Sequence, residues 1–200
     1  MTLSDGYTSL PAGKIASVVT FLEMRKPPPL RPPQTPASLS VRRIENPSID
    51  WYRKLYRAVG QEWLWFSRLR MKDQELAAII QDPQVLIYAA SDGNEDKGLL
   101  ELDARVGSEI EISYFGLTSD LVGRGAGQYL MGCALKAAWD RNPDRVWVHT
   151  CTLDHARALP FYLKAGFVPY KRAIEIADDP RLTGETSRAV APHVPLIDPR

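Results

Sequence analysis

The stretch Tyr114-Phe-Gly-Leu-Thr-Ser-Asp-Leu-Val-Gly-Arg-Gly-Ala-Gly-Gln-Tyr-Leu-Met131 holds the residues best suited to bind an anion. A strand pattern runs into Gly123, Gly125 and Gly127, and helical spacing begins directly after them. Glycines let backbone N–H groups approach a ligand closely. A helix N-terminus adds unpaired donors and about half a positive charge. Together they suit a phosphate, and Arg124 sets a fixed cation beside them. The Walker lysine is missing, which argues against a nucleoside triphosphatase. A dinucleotide fold would want this turn in its first strand–helix unit, with an acidic residue about 20 positions on. Here the turn comes late, after a hairpin region. On these residues alone, a structural tight turn without ligand is the plain alternative.

Two further groups could do chemistry. Cys151 could in principle be a nucleophile beside His149, since i and i+2 share a strand face. Buried cysteine is more often inert packing. The run Gly60-Gln-Glu-Trp-Leu-Trp-Phe-Ser-Arg-Leu-Arg70 interleaves aromatic and charged residues. It reads either as a ligand pocket or as core tryptophans.

The elements that must position these residues follow from periodicity. Ile15 to Met24 is rich in β-branched residues and reads as a strand, added to a sheet edge or to a partner chain. Pro27 to Pro36 is too rich in proline for helix or central strand and should run extended. Leu39 to Ile44 alternates as a half-buried strand. Asn46-Pro47 supplies a helix start, and Trp51, Tyr52, Leu55, Tyr56 and Val59 follow at helical spacing up to Gly60. A second helical period covers Met71 to Gln81. Strands are expected at Val85 to Ala90, Gly98 to Val106 and Glu109 to Leu117, with hairpin turns between them. A helix opens near Gly125 and closes at Asn142-Pro143. Arg145 to Cys151 is a strand, Ala156 to Lys164 a helix stopped by Gly166, and Phe167 to Ile176 a last strand. The expected division is an arm and Pro-rich linker over 1–36, an α/β domain over 37–176 and an irregular tail over 177–200.

Composition excludes several classes. Lys plus Arg total 25 against 24 Asp plus Glu, so the formal charge of +1 argues against nucleic acid and against a polybasic membrane anchor. Two cysteines rule out a disulfide scaffold and a four-cysteine zinc site, and no metal is expected. No run approaches the roughly 20 apolar residues that span a bilayer. The N-terminus lacks a basic region followed by an apolar core. A cytoplasmic setting is the expectation.

Val122-Gly-Arg-Gly-Ala-Gly127 resembles the Gln/Arg-x-x-Gly-x-Gly/Ala turn of the GNAT superfamily of N-acetyltransferases. His155-Ala-Arg-Ala-Leu-Pro-Phe-Tyr-Leu-Lys-Ala-Gly-Phe167 resembles that family's second signature, Asn-x-x-Ala-x-x-x-Tyr-x-x-x-Gly-Phe, at Ala158, Tyr162, Gly166 and Phe167. The element order is similar too. The resemblance implies a mixed, largely antiparallel central sheet flanked by helices, in an α/β (α+β) fold. It implies an acetyl-coenzyme A-dependent transfer to a primary amine of a small or amino-acid-like acceptor. The turn Val122, Gly123, Arg124, Gly125, Ala126, Gly127 and Gln128 would wrap the pyrophosphate, and Phe115, Gly116 and Leu117 would pair with the pantetheine arm. Tyr162 would protonate the departing thiolate. In one branch of the family a glutamate on the corresponding strand deprotonates the amine, which falls on Glu111. Glu109, Glu111 and Ser113 alternate onto one face that Phe115 continues, so Glu109 or a water are the other choices for the base. The family also sets the connection between the first two helices beside the acceptor, which implies Trp63, Trp65 and Arg68. Val122 replaces the usual Gln or Arg, and His155 stands where an asparagine usually touches pantetheine. A homodimer through the N-terminal arm is a further expectation. The alternative function is a coenzyme A-binding sensor or interaction module without turnover.

Overall fold

Runs of alternating and β-branched residues build one sheet, seen in a computed structural model that describes residues 4–29 and 39–199. Its strands are β1 Lys14–Met24, β2 Leu39–Ile44, β3 Val85–Asp92, β4 Glu95–Asp103, β5 Glu109–Leu117, β6 Arg145–Cys151 and β7 Val168–Asp178. They lie in the order β2-β3-β4-β5-β6-β1-β7. Every ladder is antiparallel except that between β5 and β6. The helices are α1 Ile49–Gly60, α2 Ser67–Arg70, α3 Asp73–Ile80, α4 Ala126–Trp139, α5 Ala158–Lys164 and α6 Pro180–Thr183. The mixed, largely antiparallel α/β architecture is therefore the one expected. Among the described residues no helix is long and apolar enough to cross a membrane.

The two faces of the sheet bury separate clusters. Leu100, Ile112, Val148 and Leu22 pack with Leu130 and Ala134 of α4. Tyr52, Tyr56, Leu76 and Ile80 pack α1 and α3 against Ile87 and Leu99 on the other face. The start of α1 is capped two residues later than Asn46-Pro47 suggests. Ser48 accepts the Trp51 N–H at 3.3 Å, and Asn46 takes a φ of 50° that turns the chain into the helix. Residues 30–38 of the proline-rich segment lie outside the described residues.

The N-terminal strand is not where the sequence suggested. β1 pairs with β6 from Val19↔Cys151 to Met24↔Val146, and with β7 from Lys14↔Asp178 to Glu23↔Val168. Its β7 side is paired along the strand and its β6 side from Val19 to Met24, so it lies between two strands rather than at a sheet edge. The physical reason is burial: Ile15, Val19, Leu22 and Met24 are almost fully enclosed. In the tail, β7 runs on to Asp178, the short α6 follows, and the rest is irregular but tied down. Arg181 bonds Asp179 at 2.7 Å and the carbonyls of Ala191 and Val194, all on or beside α6. Ala191 packs on Ile15 and Leu64.

One irregularity shapes the site. Glu101 pairs with Tyr114 but Leu102 pairs with Ile112, which leaves Ser113 as an extra residue in β5. Such a bulge flips the alternation. Phe115 therefore joins the cluster of Ile110 and Ile112, and Tyr114 turns to the opposite one. The expectation that Phe115 continues the face of Glu111 is corrected by this bulge. Just past it the sheet opens, because the β5–β6 ladder stops at Ile112↔Val148.

Candidate active site

The split between β5 and β6 leaves the β5 backbone from Ser113 to Leu117 without a partner on its β6 side. Gly116 sits where the first helix crosses this strand. A Cβ there would lie 2.5 Å from Val59 Cγ1 and 3.2 Å from Trp65, so only glycine allows that approach.

The chain then turns into α4 through Gly123 and Gly125, at φ of 88° and 79°. L side chains rarely adopt these values. The amides of Gly123 to Gln128 donate to no group among the described residues, and the first backbone bond of the helix is Tyr129 N–H to Gly125 O at 3.1 Å. Converging unpaired amides at a helix start form an anion cradle. Arg124 lies on the outer side of this turn, 58% exposed and 3.6 Å from Asp92. Ala126 is buried beneath it.

Tyr162 of α5 is 6% exposed. Its ring packs edge-on against Phe115, Phe161 and Phe167. Its hydroxyl makes no hydrogen bond among the described residues and, on the cavity wall, is not a fully enclosed orphan. Burial, helped by the charge of Asp154, pushes its pKa well above the ordinary tyrosine range. His155 precedes this helix. Its Nδ1 accepts the Arg157 N–H at 3.0 Å, which leaves Nε2 as the donor of the neutral ring.

The connection 61–70 is held down by buried polar contacts. Arg68 is not a pocket residue, contrary to expectation. It is 8% exposed and bonds Glu101, which is fully buried, at 2.5 Å. Tyr52 donates to the same carboxylate, and Ser67 bonds the Tyr114 hydroxyl. This clamp leaves Trp63 and Trp65 at the surface of the opening. Trp63 meets the His155 ring edge-on at 5.1 Å. Trp65 packs on Tyr56 and Tyr114 and points its Nε1 at Asp154, 3.4 Å away.

One cavity of about 1160 Å³ joins these pieces. Its lining takes in Val122, Gly123, Gly125, Gly127 and Gln128 of the turn, Phe115 to Leu117 of β5, His155, Tyr162, Trp63 and Trp65. Arg124, Ala126, Arg68 and Glu111 are not among its lining residues. Glu111 stands behind His149, with its carboxylate 3.4 Å from Nδ1, and His149 does line the cavity. Contact with Glu111 raises the His149 pKa above the ordinary value, against the opposing effect of burial. Glu109 is taken by Arg145 at 2.6 Å.

Asp154 was not singled out from the sequence. It follows β6, accepts from Thr150 Oγ1 at 2.7 Å and Cys151 N–H at 2.9 Å, and lines the cavity. The one sequence signal was an acidic residue at a strand end, next to a histidine already in question. Cys151 also lines the cavity, but burial and then Asp154 push its thiol pKa up, away from thiolate reactivity. Among the described residues no cluster of three or more metal-ligating side chains occurs.

The acetyltransferase (GNAT) family pattern matches residues 44–167. Among solved structures the chain is similar to a GCN5-related N-acetyltransferase from Sphaerobacter thermophilus, at 17% identity and a TM-score of 0.61 over 92% of this chain and 54% of that one. It is similar to an IAA acetyltransferase from Bacillus cereus, at 22% identity and a TM-score of 0.52 over 67% and 79% of the two chains. It is also similar to an aminoglycoside acetyltransferase from an uncultured soil metagenomic sample, at 16% identity and a TM-score of 0.53 over 64% and 88%. At these identities the likeness is one of fold, and the chain spans about half the length of the Sphaerobacter protein. No curated protein matches the chain.

Proposed function

Because the chain belongs to the acetyltransferase (GNAT) family, we propose that it moves the acetyl group of acetyl-coenzyme A directly to a primary amine of a small acceptor. The observation that carries this reading is one continuous cavity, lined both by the turn with the unpaired amides and by a partnerless phenol. The solved relative named as an aminoglycoside acetyltransferase supports an acceptor of small-molecule size.

The residues present fit the coenzyme. The amides of Gly123 to Gln128 would hold its pyrophosphate, with the charge of Arg124 alongside. The free edge of β5 would take the pantetheine amides, and His155 Nε2–H would donate one more bond. Acetyl-coenzyme A, when bound, supplies the thioester that the amine attacks. Lysine-like amines with a pKa near 10.4 are mostly protonated at neutral pH, so a base must act first. His149 lines the cavity and Glu111 does not, so the amine gives its proton to His149. Glu111 serves as a positioning residue that holds Nδ1. The Tyr162 hydroxyl stays protonated and gives its proton at the sulfur. A raised Cys151 pKa favours this direct route over an acyl-enzyme.

The cradle is tested by Gly125→Val. A Cβ there meets nothing within 4 Å, so packing is undisturbed and only the backbone is strained. Holding the left-handed region costs a β-branched residue about 1–3 kcal/mol, so the turn should relax out of it and coenzyme A affinity by calorimetry should fall about tenfold or more. Thiol release from acetyl-coenzyme A with an amine panel tests turnover. Unchanged coenzyme affinity in the variant would refute the cradle. Coenzyme binding by the parent without release by any amine would leave a binding module.

The base is tested by pH. His149 must be neutral to act, so kcat/KM should rise through a midpoint above the ordinary histidine value of about 6.5. Glu111→Gln removes the main raising partner. Its midpoint should move down while the plateau falls. A profile that does not move would exclude this pair.

A further inference from the structure

β7 forms one edge of the sheet, and only its β1 side is paired. Among the described residues no backbone group of Lys171 to Ala177 bonds any element other than β1. Such an edge is a template for another strand, and proteins blunt it with proline, a bulge or short length. Pro169 and an extra residue at Tyr170 blunt only the start of β7. From Phe21↔Lys171 to Lys14↔Asp178 its ladder with β1 runs on without a break. The opposite edge, β2, is six residues long and carries Arg42 and Arg43 side by side.

The strand is also apolar where it meets water. Ile174 is 51% and Ile176 57% exposed. They share one sheet face and stand opposite Val18 and Ala16 of β1, neither of which is buried. The other face carries Lys171, Ala173 and Glu175, opposite Phe21, Val19 and Ser17. Lys171 and Glu175 are both exposed. The Lys171 ammonium lies 4.8 Å from the centre of the Phe21 ring, which keeps it on that face.

We propose that β7 pairs antiparallel with β7 of a second copy of this chain, about a two-fold axis on Ala173, so that one sheet runs through a symmetric dimer. In such a pairing the same patch serves both copies, and if residue i meets j then j meets i. Directly opposed side chains share a face and interact, with like charges unfavourable. An axis on Lys171, Arg172 or Glu175 would set a charge against its own copy. Only an axis on Ala173 sets Lys171 directly opposite Glu175, and it does so twice. It also brings Ile174 of the two copies diagonally across on the other face, within reach of each other. The charge pattern of the strand is thus complementary to itself in one register. The homodimer expected through the N-terminal arm is placed instead on the strand that flanks it, since β1 lies inside the sheet. Glu175 also lines the cavity, so the second copy sets a lysine beside a carboxylate of the cavity wall.

The test is the association state of the full chain, by sedimentation equilibrium over a range of concentrations. The parent should reach twice the mass of one chain. Lys171→Glu and Glu175→Lys should each weaken association by about tenfold or more, because each opposes like charges at both contacts. The combined change Lys171→Glu, Glu175→Lys should restore it, since the opposed charges are only exchanged. Ile174→Arg should weaken it as well, by setting a cation against Arg172 of the second copy. All three positions are exposed, so each dilute variant should melt within about 2 °C of the dilute parent. A parent that stays monomeric at every concentration would overturn the proposal. So would a dimer untouched by the single changes, or a combined change that restores nothing.

Discussion

Tyr162→Phe should lower kcat by about 10²–10⁴ and leave coenzyme A affinity nearly unchanged. The change removes one oxygen and keeps the ring. The contacts of that ring with Phe115, Phe161 and Phe167 survive. The hydroxyl bonds no protein group among the described residues, so its loss breaks nothing in the fold, and the melting temperature should hold or rise slightly. Burial and then Asp154 raise the phenol pKa, so Tyr162 remains a proton donor across the neutral range and adds no titration there. The pH profile should therefore be governed by His149. Steady-state kinetics with a fixed good amine, together with calorimetric titration of coenzyme A, separates the outcomes. Undiminished kcat, or a loss confined to coenzyme affinity, would remove Tyr162 from the chemistry.

Glu101→Gln should be the most damaging single change to stability outside the apolar core. Glu101 is fully buried and is bonded by Arg68 and Tyr52. Burial works against the Arg68 charge, but the Glu101 carboxylate, with Tyr114 and Tyr52 after it, outweighs burial and keeps the guanidinium protonated. Without the carboxylate, a buried cation is left uncompensated, at a cost of about 3–5 kcal/mol. For a chain of this size that is a melting shift on the order of 10 °C. The double change Glu101→Met, Arg68→Met should recover most of it, because apolar partners of similar volume carry no desolvation penalty. A single variant that melts within about 2 °C of the parent would contradict the clamp. Since the clamp seats the connection that carries Trp63 and Trp65, the single variant should also raise the acceptor KM at temperatures where it is folded.

What could be read from the amino acids was what local physics dictates. Gly123 and Gly125 lie two positions apart at a strand-to-helix junction. Their spacing reports a turn that only glycine adopts easily, whatever surrounds it. Tyr162 was legible because its neighbours at Ala158, Gly166 and Phe167 sit within one short helix and its stop. Strand and helix periods likewise reported which side of each element is buried, and so the fold class. Periodicity says nothing about which element fills the space opposite. The place of β1 between β6 and β7 required pairing partners over a hundred residues away. The same holds for Arg68, whose partner Glu101 lies on β4, and for Trp65, which meets Asp154 across the split sheet. The Ser113 bulge is decided by how β4 and β5 register, and that one residue moved Phe115 off the face of Glu111. The residue types and the glycine turn were thus set by the sequence alone. Which charges reach the cavity, and which are spent holding its walls, was settled only when the sheet closed, because electrostatic partnership depends on distance in space rather than along the chain.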